Sequence, residues 1–238
     1  MNALLFSLTM GCLPTMSASI TATVTDNNQE IVPNPTIEIR AWDGSLLEEI
    51  NGDETGTFQA DLPPYQEFFV IASSDEHPPT SFTGYSGEGE YAVPNGTLWL
   101  RTFDEVENKA NEYTTCDVTE EAETGFIEGQ VKLYISGTPD ADLPTLTTAT
   151  ASAEQDETST FEGCYLPTTD EETGEILESS MTGDSGEYAV FGIPEGLTKL
   201  TIELDIDGEV EEYPYWVYVP ANGVVPLRPT LVPYLDLL

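Results

Sequence analysis

The residues able to do chemistry are few. The chain has 238 residues but a single histidine, His77, in the run Asp75-Glu76-His77-Pro78-Pro79. Nucleophilic catalysis needs a nucleophile, a base beside it and a group that orients the base. No G-x-S-x-G elbow accompanies His77, and its proline neighbours predict a histidine held on a rigid surface loop. Zinc would want His and Cys clustered at ligand spacing, and the sequence has no such cluster. It has no glycine-rich phosphate loop either. Paired carboxylates are the tools of glycosidases. With 44 Asp and Glu in the chain, however, two acids near each other identify nothing. The remaining chemistry is hard-cation binding. Asp205-Ile206-Asp207-Gly208-Glu209 is a D-x-D-G turn whose oxygens at Asp205, Asp207 and Glu209 are candidate calcium ligands. The competing reading is a plain hairpin turn, because Asp-Gly favours one. The chain is therefore read as non-enzymatic, with calcium as the one candidate cofactor.

The three cysteines divide by context. Cys12 lies in an apolar leader, residues 1–18, in which a short hydrophobic stretch ends in small residues, as in a secretory signal. Leu8-Thr9-Met10-Gly11-Cys12 resembles a bacterial lipobox, with Gly11 before the thiol that would take the lipid. Met10 is bulkier than is usual there, and no Lys or Arg precedes the apolar run. The alternatives are an ordinary cleaved signal or an uncleaved apolar tail. Leu13 after the cysteine resembles the pattern of lipoproteins passed on to the outer membrane. Cys116 and Cys164 are left as one even pair, which suits a disulfide in an oxidising compartment or, alternatively, two free structural thiols. No later run approaches the roughly 18 apolar residues of a spanning helix.

Charge narrows the partners. With 6 Lys and Arg against 44 Asp and Glu, the formal net charge is −38. Such a field repels nucleic-acid phosphates and anionic lipid, so nucleic acid is excluded as a partner and the membrane is reached only through the anchor. Self-repulsion also costs stability unless salt screens it. The acids are spread along the whole chain, so they read as adaptation to a saline habitat or as a surface that collects cations.

The elements that must position these residues are β-strands. Residues 20–25 and 36–42 alternate apolar with polar, with turns at Asp26-Asn27-Asn28 and Asp43-Gly44. Residues 103–113 form the one helix-like stretch, polar and read as a linker. Further strands are predicted at 126–135, 147–153, 161–166, 175–181, 187–191, 198–205 and 213–219, and acidic loops at 153–160 and 168–175. The predicted fold is all-β, two tandem Greek-key β-sandwich domains, with a leader over 1–18, module one over 19–103, a linker over 104–116 and module two over 117–238.

Two stretches share one grammar. Asp53-Glu54-Thr55-Gly56-Thr57-Phe58 runs to Asp61-Leu62-Pro63, and Thr182-Gly183-Asp184-Ser185-Gly186-Glu187-Tyr188 runs to Ile193-Pro194-Glu195-Gly196. An acidic turn with glycine starts a strand, an aromatic follows two residues on, and a proline closes the strand. Gly89-Glu90-Tyr91-Ala92-Val93-Pro94-Asn95-Gly96 also fits. This resembles the carboxypeptidase regulatory-like domain, a transthyretin-like sandwich found in tandem on bacterial surface proteins and lipoproteins. The resemblance implies that Asp184 and Gly186 shape a turn and do no catalysis. It also implies a structural or adhesive envelope protein, an outer-membrane lipoprotein or a secreted one. The alternatives are a module binding glycan or peptide through Tyr213, Tyr215, Trp216 and Tyr218, or an accessory to a separately encoded enzyme. Asn95-Gly96-Thr97 is a glycosylation sequon.

Overall fold

The computed structural model describes residues 18–93, 96–113, 116, 123–156, 158–169, 176–177, 179–206 and 208–233. Cys12, Asp207 and Asn95 lie outside them. The described chain is a set of β-sheets around two apolar cores. One core draws on residues from Ala18 to Leu100, the other on residues from Ile127 to Val232.

In the N-terminal half, β1 (Ala18–Asp26) pairs antiparallel with β4 (Thr57–Leu62) and parallel with β7 (Gly89–Tyr91) and β8 (Thr97–Leu100). Facing this sheet are β2 (Thr36–Ala41), β3 (Leu46–Asn51), β5 (Glu67–Ser74) and β6 (His77–Tyr85), in the order β6-β5-β2-β3. Alternation decides which side is buried. Ile20, Ala22 and Val24 of β1 meet Ile37 and Ile39 of β2 in the core, while the residues between them face outward.

The two copies of the turn grammar share a left-handed glycine, a buried aromatic and a closing proline, but in the second it is Ser185 Oγ, not an acid, that accepts the Glu187 N–H. In the first copy Asp53 Oδ1 accepts the N–H groups of Thr55 at 2.8 Å and Thr57 at 2.9 Å, so the carboxylate holds the turn. Gly56 sits at φ +71°, in the left-handed region where a side chain is strained. Phe58, two residues on, is buried, and β4 stops at Leu62 before Pro63. In the second copy Gly186 has φ +67°, Tyr188 is fully buried, and its strand stops at Pro194.

The C-terminal half contains β9 (Thr124–Tyr134), β10 (Ala149–Gln155), β11 (Ser159–Tyr165), β12 (Thr168–Thr169), β13 (Ile176–Leu177), β14 (Glu187–Pro194), β15 (Gly196–Ile206), β16 (Glu209–Val219) and β17 (Val224–Pro233). β11 closes the sandwich by changing partners. Ser159 to Glu162 pair with β10, whereas Gly163 to Tyr165 pair with β14. Gly163 marks the corner, since a Cβ there would strike the Ala151 carbonyl and the Tyr165 hydroxyl.

The helix-like stretch at 103–113 forms α1 (Phe103–Asn111), and two other expectations change. Thr102 accepts the Glu105 N–H while the Glu105 carboxylate accepts the Thr102 N–H, a complete capping box. Residues 153–160 are not a loop, because β10 and β11 run into a tight hairpin there. Of the strand predicted at 175–181, only Ile176 and Leu177 are in strand among the described residues, as β13, and 179–181 are not.

Tyr188 reaches across the second core and its hydroxyl lies 2.8 Å from Thr230 Oγ1. Gly129, opposite it on β9, leaves room for the ring. Gly129→Ala is expected to drive a methyl into that ring and destabilise the fold by about 1–3 kcal/mol, read as an earlier urea midpoint at unchanged slope.

Candidate functional site

His77 is a buried residue, not one on a surface loop. It is 7 % exposed and opens β6, with Nδ1 2.8 Å from Ser74 Oγ across the β5–β6 turn. Pro78 and Pro79 stay in the strand. The Ser74 hydroxyl stands beside the imidazole, but among the described residues no group accepts from or donates to His77 Nε2 to orient it. At the candidate calcium turn, Asp205 Oδ1 accepts the Gly208 N–H at 2.8 Å, the bond of an Asp-Gly hairpin between β15 and β16. Glu209 begins β16. Among the described residues no three His, Cys, Asp or Glu side chains gather as a metal would require. Cys116 and Cys164 are joined as a disulfide with Cα atoms 5.9 Å apart. No helix among the described residues is long and apolar enough to cross a membrane.

The four aromatics of β16 do not form an exposed row. Tyr213 and Tyr215 pack against the second core, and the Tyr215 hydroxyl donates to the Leu231 carbonyl at 2.6 Å. Trp216 alone stands out, 50 % exposed. Tyr218 is buried between the two halves of the molecule, and it leads to the most built-up polar arrangement in the structure.

That arrangement is the junction. Phe69 and Ile71 on the outer face of β5 pack against Tyr218 and Leu197, a third small apolar cluster. The Arg40 guanidinium lies 4.3 Å from the centroid of the Tyr218 ring. Arg40 also pairs with Glu38 at 2.7 Å and reaches Glu195 of the other half at 3.4 Å. The Tyr218 hydroxyl donates to Glu195 Oε1 at 2.7 Å. Burial, then the bond to the Glu195 carboxylate, pushes this phenol well above its usual value, against the pull of Arg40.

Two further cations tie the N-terminal half and the helix that follows it to the C-terminal half. Arg101, just after β8, meets Glu128 of β9 at 2.5 Å, and the Glu128 side chain is fully buried. Lys109 of α1 reaches Glu187 of β14 at 3.3 Å. The end of the helix is fixed as well: Tyr113 packs edge-on against Phe191, and Phe191 stacks on Phe126. The disulfide at Cys116 follows three residues later. Backbone continuity completes the joint, because β17 pairs with β9 and, at Val224, with Thr80 of β6. A single sheet path therefore runs through both halves. Sequence patterning had no signal for this joint, since its members come from β2, β5, β6, the end of β8, α1, β9, β14, β15, β16 and β17.

No family model and no curated protein matches the chain. Solved structures similar to it include the Bacillus anthracis TIE protein, at 14 % identity and a TM-score of 0.30, covering 92 % of this chain and 34 % of that one. A streptococcal ancillary pilin is similar at 9 % identity and a TM-score of 0.30, covering 85 % of this chain and 60 % of that one. The minor pilin GBS52 of Streptococcus agalactiae is similar at 10 % identity and a TM-score of 0.30, covering 91 % of this chain and 95 % of that one. This chain thus spans about a third of the length of the first. Superpositions this loose carry no function across.

Arg101→Ala strands the buried Glu128 carboxylate and is expected to cost about 3–5 kcal/mol in urea denaturation, while adding Glu128→Gln recovers part of the loss. A pH dependence also follows. Tyr215 is pushed up to about 12 by burial, and burial likewise raises Tyr188 and Tyr218. Unfolded tyrosines ionise near 10. The folded chain therefore keeps protons that the unfolded chain releases, so this stability is intact below about pH 10 and falls as pH rises through the folded values. Melting temperature measured by circular dichroism should drop steeply above pH 10, and less steeply for Tyr218→Phe.

Proposed function

We propose that this protein is a non-catalytic, stiff spacer of the cell exterior, with a structural or adhesive role, tethered through a lipid on Cys12. The observation that supports it is the junction. A spacer transmits position, so its parts must not hinge, and three of the six basic residues of a −38 chain are placed where they hold the halves together. Interfaces within a chain hinge by default unless they are large or bonded through. Here the apolar cluster, the ion pairs, the disulfide and the shared sheet act together.

The twice-used acidic turn, each copy sending an aromatic inward, favours assignment to the carboxypeptidase regulatory-like family, in which such sandwiches are surface modules. A disulfide suits an oxidising exterior. The acidic surface would keep such a protein solvated and clear of anionic headgroups, and stable anchoring would need more than one acyl chain at Cys12. Binding through a row of β16 aromatics loses its basis, because three of the four are packed inside. The test is Cys12→Ser with membrane fractionation and intact-mass analysis. The expected outcome is a wild-type protein that begins at an acylated Cys12 and sediments with membranes, and a variant that is released.

A further inference from the structure

An open sheet edge invites pairing with another strand, and proteins usually blunt such edges with charge or proline. Most edges of this fold follow that rule. β3 carries Glu48 and Glu49, β4 carries Asp61, and β16 carries Glu209, Glu211, Glu212 and Pro214. β17 carries Pro226, Pro229 and Pro233.

Two edges do not. β6 meets β17 only where Val224 pairs with Thr80, and the two strands then diverge. Residues 81–85 of β6 keep β5 on one side and, among the described residues, have no strand on the other. Their sequence is Ser81-Phe82-Thr83-Gly84-Tyr85, without a charge or a proline. The second is β8, Thr97-Leu98-Trp99-Leu100, in the facing sheet. In a chain that is 21 % charged, both undefended edges border the same opening.

That opening is a crevice of about 1230 Å³ between the sheets. It is lined by the buried Phe68 and Leu98, the half-buried Phe82 and Trp99, and Leu227 and Leu231 of β17. The Phe68 ring fills the place a Gly84 side chain would take, so Gly84 presents bare backbone beside Phe82. A free backbone edge flanked by apolar side chains is what an added strand reads, with main-chain bonds for affinity and side-chain contacts for specificity. Asp26 and Asp140 line the crevice.

We propose that residues 81–85 of β6 accept an extended peptide segment of a partner protein as an added strand. The segment alternates apolar residues, which enter the crevice, with polar ones, and carries lysine or arginine at its ends to meet the acidic rim. The β17 side supplies apolar contact but little pairing, since Pro226 and Pro229 have no N–H to donate.

The probe is a fluorescein-labelled octapeptide of alternating valine and threonine with lysine at both ends, titrated into the full-length protein and followed by anisotropy. Saturable binding is expected, weakening about tenfold when glutamates replace the lysines or when Thr83→Lys places a charge on the edge. Thr83 is exposed, so that variant should keep its melting temperature. A probe with prolines at alternate positions should not bind. Equal binding of the proline probe, or no binding of the lysine probe, overturns the proposal. So does concentration-dependent dimerisation that Thr83→Lys abolishes, which would make a second copy the occupant. Binding that appears only after residues 1–17 are removed would overturn it too, in favour of the chain's own leader.

Discussion

The scarcity of positive charge constrains everything else in this molecule. A chain with 44 acids and 6 bases cannot neutralise its surface, so each cation is worth most where the dielectric is low and screening is weak. Glu128 shows the logic. It is buried in β9 and would be costly to keep there alone, but Arg101 meets it at 2.5 Å from the other half. The pair adds little net stability compared with an apolar pair of the same shape. What it supplies is register, because neither half can shift without stranding a charge. Arg40 repeats the device, stacked on Tyr218 and shared between Glu38 and Glu195.

The helix between the halves shows how a polar segment becomes part of a rigid body. Its capping box sets where it starts, and nothing apolar on it is buried. Anchorage comes from one end, through Lys109, Tyr113 and the disulfide at Cys116. The polar composition that suggested a linker is thus compatible with a fixed strut, since the contacts sit in the last turn and just beyond it.

Much of the fold was legible in the residues, and the failures have physical reasons. Strands with one wet face, such as β1, β2 and β4, show in their alternation. β5 was missed because Phe68, Phe69, Val70, Ile71 and Ala72 are buried in succession, one face on the core and the other on Tyr218 and Leu197. A strand covered on both sides has no period of two. β6 and β17 were hidden by their prolines, which mark a turn or an edge in sequence. Here they sit where a ladder bond is dispensable. His77 was misplaced for the same reason. The junction was illegible because it joins residues as far apart in sequence as Arg40 and Tyr218. The repeated acidic turn was legible because the bonds that shape it are local: Asp53 to Thr55 and Thr57, and the Gly186 N–H to the Gly183 carbonyl.

The sheet path through both halves also sets an order of events. β17 is the last described strand along the chain, yet it lies in the middle of the sheet, between β9 and β6. As the polypeptide is synthesised, β9 and β6 emerge before their common neighbour. Until residues 224–233 arrive, β9 has no neighbour on that side and Thr80 of β6 has no bridge to the second half. The sheet is therefore completed late, with long-range pairing that is slow to form. A chain cut short before Val224 could build most of its turns, much of both cores and the side-chain contacts of the junction. It would still lack the shared strand, leaving β9 an open edge for a quality-control protease to find.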